Sequence, residues 1–359
     1  MRPRHGRRHN LSLVRQTLYF DGPMSRADLA RATGLTRVTI SDLVTELLEC
    51  GHARELGTSS DVRPGKPSTL IDINRPGLQI IGLDLTAHRV LRGAVLDLDG
   101  VVLARTERRV DDVAVVDLAD VLDLARETVA LATAPVLGVG VGTPGLVSED
   151  GMVRSASNLG WTDVPLRDEL ATATGLPVQV ANDAASAARA AYTLLGASDD
   201  FLLVRIGRGV GSSLIVGGTQ LLGAHHAAGE IGHVTVGNDG GATCRCGKVG
   251  CLETWLSAPN LERALTAADG SAEPLVEAGT RLGIAIAPVI AALDLTEIVL
   301  SGPEHLLTAP LVEAAQSTID SRLLRHPDVH VAVNVAADPD DIVLRGAAGL
   351  VLSSQLGVI

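Results

Sequence analysis

The sequence predicts an α/β protein in two parts, a winged helix-turn-helix module at residues 1–73 and a larger α/β domain at residues 78–359. Three observations support this prediction. Apolar residues recur at helical spacing up to residue 51 and are interrupted by a glycine turn. From residue 78 onward, short apolar runs end in glycine-rich turns and alternate with helical stretches. The turn-forming segment Asn74-Arg75-Pro76-Gly77 separates the two patterns.

Composition is typical of a globular protein with more than one domain. The chain has 359 residues, of which 46% are hydrophobic and 2% aromatic, so its core is expected to consist of Leu, Val, Ile and Ala. The longest uncharged apolar run, residues 284–293, is far shorter than the roughly 18 residues that span a bilayer. The basic start is not followed by the apolar stretch of a signal peptide. We therefore expect a soluble cytoplasmic protein with no membrane partner.

Charge is unevenly distributed along the chain. Residues 1–72 contain eleven Lys and Arg against eight Asp and Glu, whereas the remainder contains nineteen against thirty-four. The N-terminal module is thus basic within a chain whose formal net charge is −12. Such a module can approach a polyanion that would repel the acidic remainder.

Three helices are predicted in the N-terminal module. The first covers residues 10–20, and the second is capped by Ser25 and ends at Gly34. Thr36 caps the third, whose apolar stripe consists of Val38, Ile40, Leu43, Val44, Leu47 and Leu48. Two helices joined by a short glycine turn are typical of the helix-turn-helix.

Polar residues at the start of the third helix indicate contact with double-stranded DNA. A helix that enters the major groove needs hydrogen-bond donors and small hydroxyl groups on its outer N-terminal face. The DNA contacts predicted for the second and third helices are Arg26, Thr36, Arg37, Thr39 and Ser41. A three-helix protein-interaction domain is the alternative, and the basic balance of the module favours DNA.

A wing is predicted after the third helix. Two strands, at residues 52–56 and 68–73, flank the stretch from Gly57 to Pro67. Arg63 and Lys66 lie at the tip of this stretch between prolines and are predicted to contact phosphates or the minor groove.

The larger domain is predicted to alternate strands and helices. Its strands are predicted at residues 78–85, 90–98, 100–108, 136–141, 178–180, 201–206 and 297–300. Its helices are predicted at residues 114–132, after Asp183, at 274–293 and at 342–352, with the last packing back on the first part of the domain.

A cluster of cysteine and histidine residues indicates a metal site. Its members are His233, Cys244, Cys246 and Cys251. Thiolates and an imidazole at this spacing suit one tetrahedral zinc ion, and Gly247 and Gly250 permit the tight turns that bring the sulfurs together. Reduced cysteines in a loop are the alternative. A disulfide is disfavoured because three clustered cysteines leave one thiol over.

Two carboxylates accompany this cluster. Glu230 precedes His233 by three residues, and Glu253 follows Cys251 by two. A metal-bound histidine keeps its second ring nitrogen for a hydrogen bond, and carboxylates beside it suit a ligand with many hydroxyl groups. This combination predicts a sugar site.

Gly-Glu-Ile-Gly-His at residues 229–233 and Cys-x-Cys-Gly-x-x-Gly-Cys-x-Glu at residues 244–253 closely resemble the signature of the ROK family of repressors and sugar kinases. The resemblance implies that His233 and the three cysteines hold a structural zinc and that Glu230, His233 and Glu253 contact sugar hydroxyls. It covers nearly the whole chain, because many ROK repressors join a winged module to a two-lobed domain of the actin-like ATPase (ribonuclease H-like) fold.

The same resemblance implies further sugar contacts. Gly145 and Asn158 match segments that border the sugar in ROK proteins. Asn182 matches a residue that binds sugar, and Asp183 matches the residue that accepts the proton of the attacked hydroxyl in the kinases. Turn and helix-cap roles are open alternatives for these positions.

The nucleotide motifs of the kinases are altered in this chain. The first strand of the larger domain ends Asp84-Leu85-Thr86-Ala87-His88 where active kinases have Asp-Leu-Gly-Gly-Thr, so side chains occupy the space of a phosphate. Arg208 and Ser212 replace a threonine and a glycine of the second phosphate loop, and Pro303 removes an amide donor at the adenine side. We therefore expect no kinase activity and regard Asp183 as a vestigial base.

The sequence as a whole predicts a transcriptional regulator, a repressor of carbohydrate-utilisation genes that binds an operator in double-stranded DNA and a sugar or sugar derivative. A two-fold operator would match a homodimer or homotetramer. One alternative is an ATP-dependent sugar kinase with a DNA-binding arm, which Asp183 and the surviving glycines at 207, 209 and 211 favour. Another is a constitutive DNA-binding protein with a vestigial sugar pocket.

Overall fold

The structure is a computed structural model that describes residues 3–58, 68–87, 89–110, 115–224, 227–236, 240–324 and 330–358. Its N-terminal elements are α1 (Pro3–Asp21), β1 (Met24–Ser25), α2 (Arg26–Thr33), α3 (Arg37–Glu49), β2 (Ala53–Thr58) and β3 (Thr69–Ile73). The three strands form one antiparallel sheet in the order β1-β3-β2. This arrangement confirms the winged helix-turn-helix, while the predicted wing tip with Arg63 and Lys66 lies outside the described residues.

Local signals in the sequence explain the helix-turn-helix. The Ser25 hydroxyl accepts a hydrogen bond from the Asp28 amide at 3.2 Å and caps α2. Gly34 ends α2 in the left-handed region at φ 70°, where a side chain would be strained. The Thr36 hydroxyl then caps α3 by accepting from the Thr39 amide at 3.2 Å.

Two predictions for this module were wrong. The first helix begins at Pro3 rather than at residue 10, and Arg7 on its added turn forms an ion pair with Glu46 of α3. Val38 is not part of the core, because its side chain is 73% exposed. It precedes the buried Ile40 by two residues, which at 100° per residue places it on nearly the opposite side of the helix.

The first lobe of the larger domain is built on a five-stranded sheet in the order β11-β7-β4-β5-β6. Strands β4, β7 and β11 are parallel, β5 is antiparallel to them, and β6 pairs antiparallel with β5 and so runs in the direction of β4. Its elements are β4 (Gln79–Asp84), β5 (Val90–Leu96), β6 (Val102–Arg109), α4 (Leu118–Ala130), β7 (Val136–Thr143), β8 (Leu146–Val147), β9 (Val153–Ala156), β10 (Trp161–Val164), α5 (Leu166–Thr174), β11 (Val178–Asn182) and α6 (Asp183–Leu194).

The second lobe repeats this sheet order as β14-β13-β12-β15-β16. Its elements are β12 (Phe201–Ile206), β13 (Val210–Val216), β14 (Thr219–Leu221), α7 (Glu253–Leu256), α8 (Ala258–Ala267), α9 (Glu273–Leu293), β15 (Glu297–Ser301), α10 (Ala309–Arg322) and β16 (Ala332–Val335). In both lobes, a three-stranded meander is extended by two parallel strands. This duplication agrees with the predicted actin-like architecture.

The last helix, α11 (Ile342–Val351), packs on the first lobe as predicted and continues into a π-helical turn at Leu352–Leu356. Glycines in α11 and in β7 permit its close approach to α6 and to the sheet. A Cβ atom at Gly346 would overlap the Ser186 carbonyl, and one at Gly140 of β7 would overlap the Ala347 carbonyl. Glycine is therefore required at both positions for this packing.

Helix α9 is long and apolar enough, by length and composition, to cross a membrane. Its packing places it instead in the core of the second lobe. Leu282, Ile286 and Ile290 are buried there, and Gly279 and Gly283 bring α9 close to α10. A helix with so many apolar residues is typical of a protein interior, where neighbouring elements cover them.

One hydrophobic cluster joins the N-terminal module to the first lobe. Val14 and Leu18 of α1 share it with Ile80 of β4 and with Leu352 and Leu356 of the C-terminal turn. All five side chains are at most 1% exposed. The module and the first lobe therefore bury a continuous apolar core, which favours their movement as one body.

Candidate functional site

A cleft of about 380 Å³ lies between the two lobes. It opens where β4, β7 and β11 of the first lobe and β12 of the second lobe end, the usual ligand position in sheets of this kind. Its lining includes all seven residues predicted to contact sugar, which are Gly145, Asn158, Asn182, Asp183, Glu230, His233 and Glu253. The fold thus brings together residues that are up to 108 positions apart in the sequence.

Asn182 and Gly145 form part of the first-lobe wall and are bonded to each other. The Asn182 side-chain amide donates to the Gly145 carbonyl at 2.8 Å, and its oxygen caps α6 by accepting from the Ala184 amide at 2.9 Å. Gly145 has φ 90°, and a Cβ atom there would overlap the Ser155 carbonyl. This pair therefore shapes the cleft and orients the start of α6.

Asn158 offers an unused polar atom to the cleft. Its Oδ1 is buried and has no hydrogen-bond partner among the described residues. Buried polar atoms in native proteins nearly always have a partner. A hydroxyl group in the cleft would supply the missing donor.

Glu253 and Glu230 form the acidic part of the second-lobe wall. Glu253, the first residue of α7, accepts a hydrogen bond from the Val210 amide at 3.1 Å, so the first residue of β13 fixes its carboxylate. The pKa of Glu230 is raised, mainly because its carboxyl is partly desolvated. Repulsion from Asp183 and Glu253 adds to this shift, and His233 opposes it.

The cysteine and histidine cluster has the dimensions of a tetrahedral metal site. The four potential ligand atoms lie within 4.8 Å of one another. Cys244 Sγ is 3.6 Å from His233 Nδ1, and Cys246 Sγ is 3.6 Å from Cys251 Sγ. Ligand atoms around zinc, with bonds of about 2.3 Å to sulfur and about 2.0 Å to nitrogen, are separated by about 3.5–3.8 Å. The residues present therefore fit zinc.

Glycine turns and burial shape this cluster. Gly247 and Gly250 have φ 88° and 74°, which confirms the predicted tight turns. Cys244 and Cys251 are buried, and burial raises the pKa of the Cys251 thiol to about 12. A metal ion that binds here must displace thiol protons, so metal binding and proton release are coupled.

Arg205 is a cleft residue that the sequence analysis missed. From β12 its Nε donates to Asp183 Oδ2 at 3.0 Å, and its Nη2 donates to Thr86 Oγ1 at 2.9 Å. Burial raises the pKa of Asp183, and the Arg205 guanidinium opposes that shift. A basic residue within a strand carries no recognisable motif, so only the fold reveals this ion pair.

The predicted DNA contacts that the structure describes lie on α2 and α3, with Thr36 at the cap of α3. Arg37 and Ser41 of α3 are exposed, and Thr36 and Thr39 hydrogen-bond to each other through their hydroxyls at 2.9 Å. Arg26 of α2 is 3.3 Å from Glu55 of β2 in an ion pair. The exposed Val38 lies beside Arg37 and adds an apolar group that can meet a thymine methyl.

A winged helix-turn-helix joined to paired actin-like lobes, with a polar cleft and a zinc-type cluster, defines a regulator-like relative of the sugar kinases. The chain belongs to the ROK family, whose family model matches residues 80–354. A second family model, for bacterial regulatory proteins of the crp family, matches residues 23–51, which contain α2 and α3.

Curated relatives of the chain include both kinases and repressors. It is 43% identical over 154 residues to a glucokinase of Halalkalibacterium halodurans, a match that covers 42% of this chain and 46% of that protein. It is 32% identical over 268 residues to a putative xylose repressor of a Caldicellulosiruptor species, covering 71% of this chain and 64% of that protein. The matches thus span about half to two-thirds of these curated relatives.

Solved structures similar to the chain also include both a regulator and a kinase. A ROK family transcriptional regulator, described as a homolog of the E. coli MLC protein, superposes with a TM-score of 0.84 at 26% identity and covers 99% of this chain and 98% of that one. A ROK glucokinase from Streptomyces griseus, in complex with glucose and AMPPNP, has a TM-score of 0.64 at 25% identity and covers 76% of this chain and 98% of that one. The larger coverage of the regulator reflects the winged module.

Proposed function

We propose that this protein is a sugar-responsive, DNA-binding transcriptional regulator that represses carbohydrate-utilisation genes. The observation that carries the proposal is the core shared by the winged module and the lobe that forms one wall of the polar cleft. A ligand that changes the position of this lobe also moves the DNA-binding helix. The similarity to repressors and to a regulator structure over 99% of the chain supports the same function.

In this proposal, the seven cleft residues bind a sugar. Glu230, Glu253 and Asp183 accept hydrogen bonds from sugar hydroxyls, and Asn158 Oδ1 accepts a further one. His233 donates or accepts through the ring nitrogen that the metal leaves free. Asn182 and Gly145 border the ligand while they hold each other.

Coupling between the cleft and DNA is proposed to run through α6 and α11. Asn182 and Asp183 begin α6, whose Ser186 touches Gly346 of α11. The C-terminal turn after α11 then reaches α1, because the Gly357 carbonyl accepts from Ser12 Oγ at 3.2 Å and from Gln16 Nε2 at 2.5 Å. This contiguous path supports transmission of a small shift at the sugar to the winged module.

The DNA contacts are proposed to be Arg26, Thr36, Arg37, Thr39, Ser41, Arg63 and Lys66. Arg37 is expected to contribute most among the described residues, because it is exposed at the start of α3 and forms no ion pair within the described part of the chain. We propose cytoplasmic localisation and a homodimer or homotetramer, since two-fold operators match two-fold proteins. The domain division is proposed to fall between residues 73 and 78.

Replacing Arg37 with Ala is expected to weaken specific DNA binding by about 1–3 kcal/mol, which is roughly 5- to 150-fold, because a base-reading arginine is lost. Fluorescence anisotropy at fixed salt would measure the change. Arg31→Ala is the matched control, since Arg31 is exposed on α2 and pairs with Asp28. Equal loss in both variants would indicate a general charge effect and contradict the assignment of α3 as the reading helix.

Zinc is proposed to be the structural metal, held by His233, Cys244, Cys246 and Cys251; when bound, it fixes the imidazole of His233 in the cleft. Elemental analysis of freshly purified protein should give about one zinc per chain, and Cys251→Ser should remove it because four ligands complete a structural site. Cys50→Ser, at an exposed cysteine outside the cluster, should retain the metal. A wild-type protein without zinc would contradict the proposal.

We propose that the protein is not an active kinase. Thr86 fills the first phosphate turn, Arg208 replaces a threonine in the second, and Pro303 lacks an amide donor. The 43% identity to a glucokinase over 154 residues favours the alternative of a sugar kinase with a DNA-binding module. ATP-dependent phosphorylation of a hexose that Asp183→Ala abolishes would establish that alternative.

The proposed function is tested by DNA binding with and without sugars. Purified full-length protein would be titrated at fixed salt against DNA from upstream of its own gene, because affinities for DNA depend steeply on salt. Specific binding that one sugar changes at least tenfold is the expected result. Binding no tighter than to unrelated DNA would overturn the proposal.

A further inference from the structure

Arg205 connects the two lobes at the floor of the cleft. It lies on β12 of the second lobe, whereas both of its partners, Asp183 and Thr86, belong to the first. The side chains of Arg205 and Asp183 are only 14% and 20% exposed. The ion pair is therefore largely shielded from water. Its electrostatic attraction is stronger in this environment than that of an exposed pair at the surface.

Thr86 is itself held in place. Its hydroxyl donates to Asp84 Oδ1 at 2.6 Å and its amide donates to the same atom at 2.9 Å, while the hydroxyl accepts from Arg205. Asp84 is 2% exposed. Asp183 thus holds Nε of the guanidinium, and Thr86 holds Nη2. Thr86 is in turn bonded to the buried Asp84 carboxylate.

The position of this guanidinium matters because of what Asp183 faces. A carboxylate that accepts the proton of a sugar hydroxyl lies within about 3 Å of that oxygen, and in phosphoryl transfer the phosphorus approaches the same oxygen. Arg205 binds Asp183 Oδ2 and therefore occupies space beside that hydroxyl. The other carboxylate oxygen of Asp183 is left for the ligand.

A phosphate on this hydroxyl would have to displace Arg205 or draw it away from Asp183. Either change leaves a buried carboxylate without its cation, next to a second anion. A neutral sugar needs no such change. The contacts therefore favour a ligand whose hydroxyl at Asp183 is free.

We propose that Arg205 is a specificity-determining residue that closes the phosphoryl side of the sugar site, so that the effector is a neutral sugar and not its phosphate ester at that hydroxyl. The assignment rests on the proposed sugar-responsive function. Arg205 also positions Asp183 and excludes the terminal phosphate of a nucleotide from the same space.

Two other arginines in the cleft provide the comparison. Arg208 and Arg245 line the same cleft, are exposed, and form no ion pair with the residues that the structure describes. An anionic effector would use these free guanidinium groups. Arg208→Thr is therefore the matched control for Arg205→Thr, since it removes the same charge from the same cleft without breaking an ion pair.

The test is calorimetric titration of the zinc-loaded, full-length protein with glucose and mannose, with the 6-phosphates of these two hexoses, and with AMPPNP. Wild-type protein is expected to bind one neutral sugar at least 100-fold more tightly than its phosphate. Arg205→Thr should reduce this ratio at least tenfold, whereas Arg208→Thr should not reduce it, because a free guanidinium in the cleft can only help an anionic ligand. The double variant Arg205→Thr with Asp183→Asn leaves no Asp183 charge without its cation, and it repeats the measurement if Arg205→Thr folds poorly.

Three results would overturn the assignment. These are tighter binding of a sugar phosphate by the wild type, an unchanged ratio in both Arg205 variants, and an equal loss of selectivity in Arg208→Thr. Measuring DNA binding by the same preparations distinguishes failure of the proposed regulatory function from failure of the role assigned to Arg205. A sugar phosphate that releases DNA would leave the proposed function standing and overturn only the role of Arg205, whereas DNA binding without affinity for any sugar or sugar phosphate would overturn both.

Discussion

Replacing Glu253 with Gln should abolish the response to sugar while DNA binding by the sugar-free protein stays within about twofold. The Glu253 carboxylate accepts a hydrogen bond from the Val210 amide and lies beside Cys244, so it is fixed before the ligand binds. Hydrogen bonds to charged groups contribute about 1.5–3 kcal/mol each. Loss of the charge weakens the bond to the Val210 amide and the bond to the sugar, and sugar affinity should fall by about 100-fold or more.

Calorimetry with the sugar that changes DNA binding would measure this loss. Glu262→Gln is the control, since Glu262 is an exposed glutamate of the neighbouring α8 that pairs with His305. Unchanged sugar affinity in Glu253→Gln would place the sugar elsewhere in the molecule.

Gly346→Ala should destabilise the protein and weaken the link between sugar and DNA. In the interior of a helix, replacing Gly with Ala usually stabilises by about 0.5–1 kcal/mol. Here the new methyl group would overlap the Ser186 carbonyl and push α11 away from α6. Forced overpacking of this kind costs about 1–3 kcal/mol, so Gly346→Ala should lower the free energy of unfolding where the same substitution usually raises it.

Gly349→Ala, three residues further along α11, provides the internal control. A Cβ atom there meets the Arg189 and Thr193 side chains, whereas at position 346 it would meet the Ser186 backbone at a much shorter distance. Urea denaturation should therefore show Gly346→Ala to be less stable than Gly349→Ala. Equal stability of the two variants would contradict the close contact between α6 and α11 on which the proposed coupling depends.

Elements with strong local signals could be predicted from the sequence. Helices α2 and α3 have a Ser or Thr cap and a glycine turn, and strand β12 was predicted with its observed bounds. Strands β8, β9 and β10 are only two to four residues long and gave no periodic signal, and β13 was hidden by the glycines and serines at its start. The early start of α1 depends on tertiary contacts such as the pair of Arg7 with Glu46.

The candidate site also contains residues that could be predicted from the sequence and one that could not. The four possible metal ligands lie in one short segment, so spacing alone predicted the cluster whose ligand atoms the fold brings within 4.8 Å. The cleft residues were gathered by resemblance, because no periodicity relates Asn158 to Glu253. Arg205 escaped both approaches, since its partners lie 22 and 119 residues away and only the pairing of two lobes brings them together.

The central claim is that the sugar in the cleft and the operator at α3 are thermodynamically coupled. If they are, the operator must change sugar affinity by the same factor by which the sugar changes operator affinity. The direct measurement is titration of the sugar into the protein alone and into its complex with operator DNA at the same salt concentration. Two dissociation constants that differ by the factor found in the DNA titration are the predicted result, whereas identical constants would contradict the account.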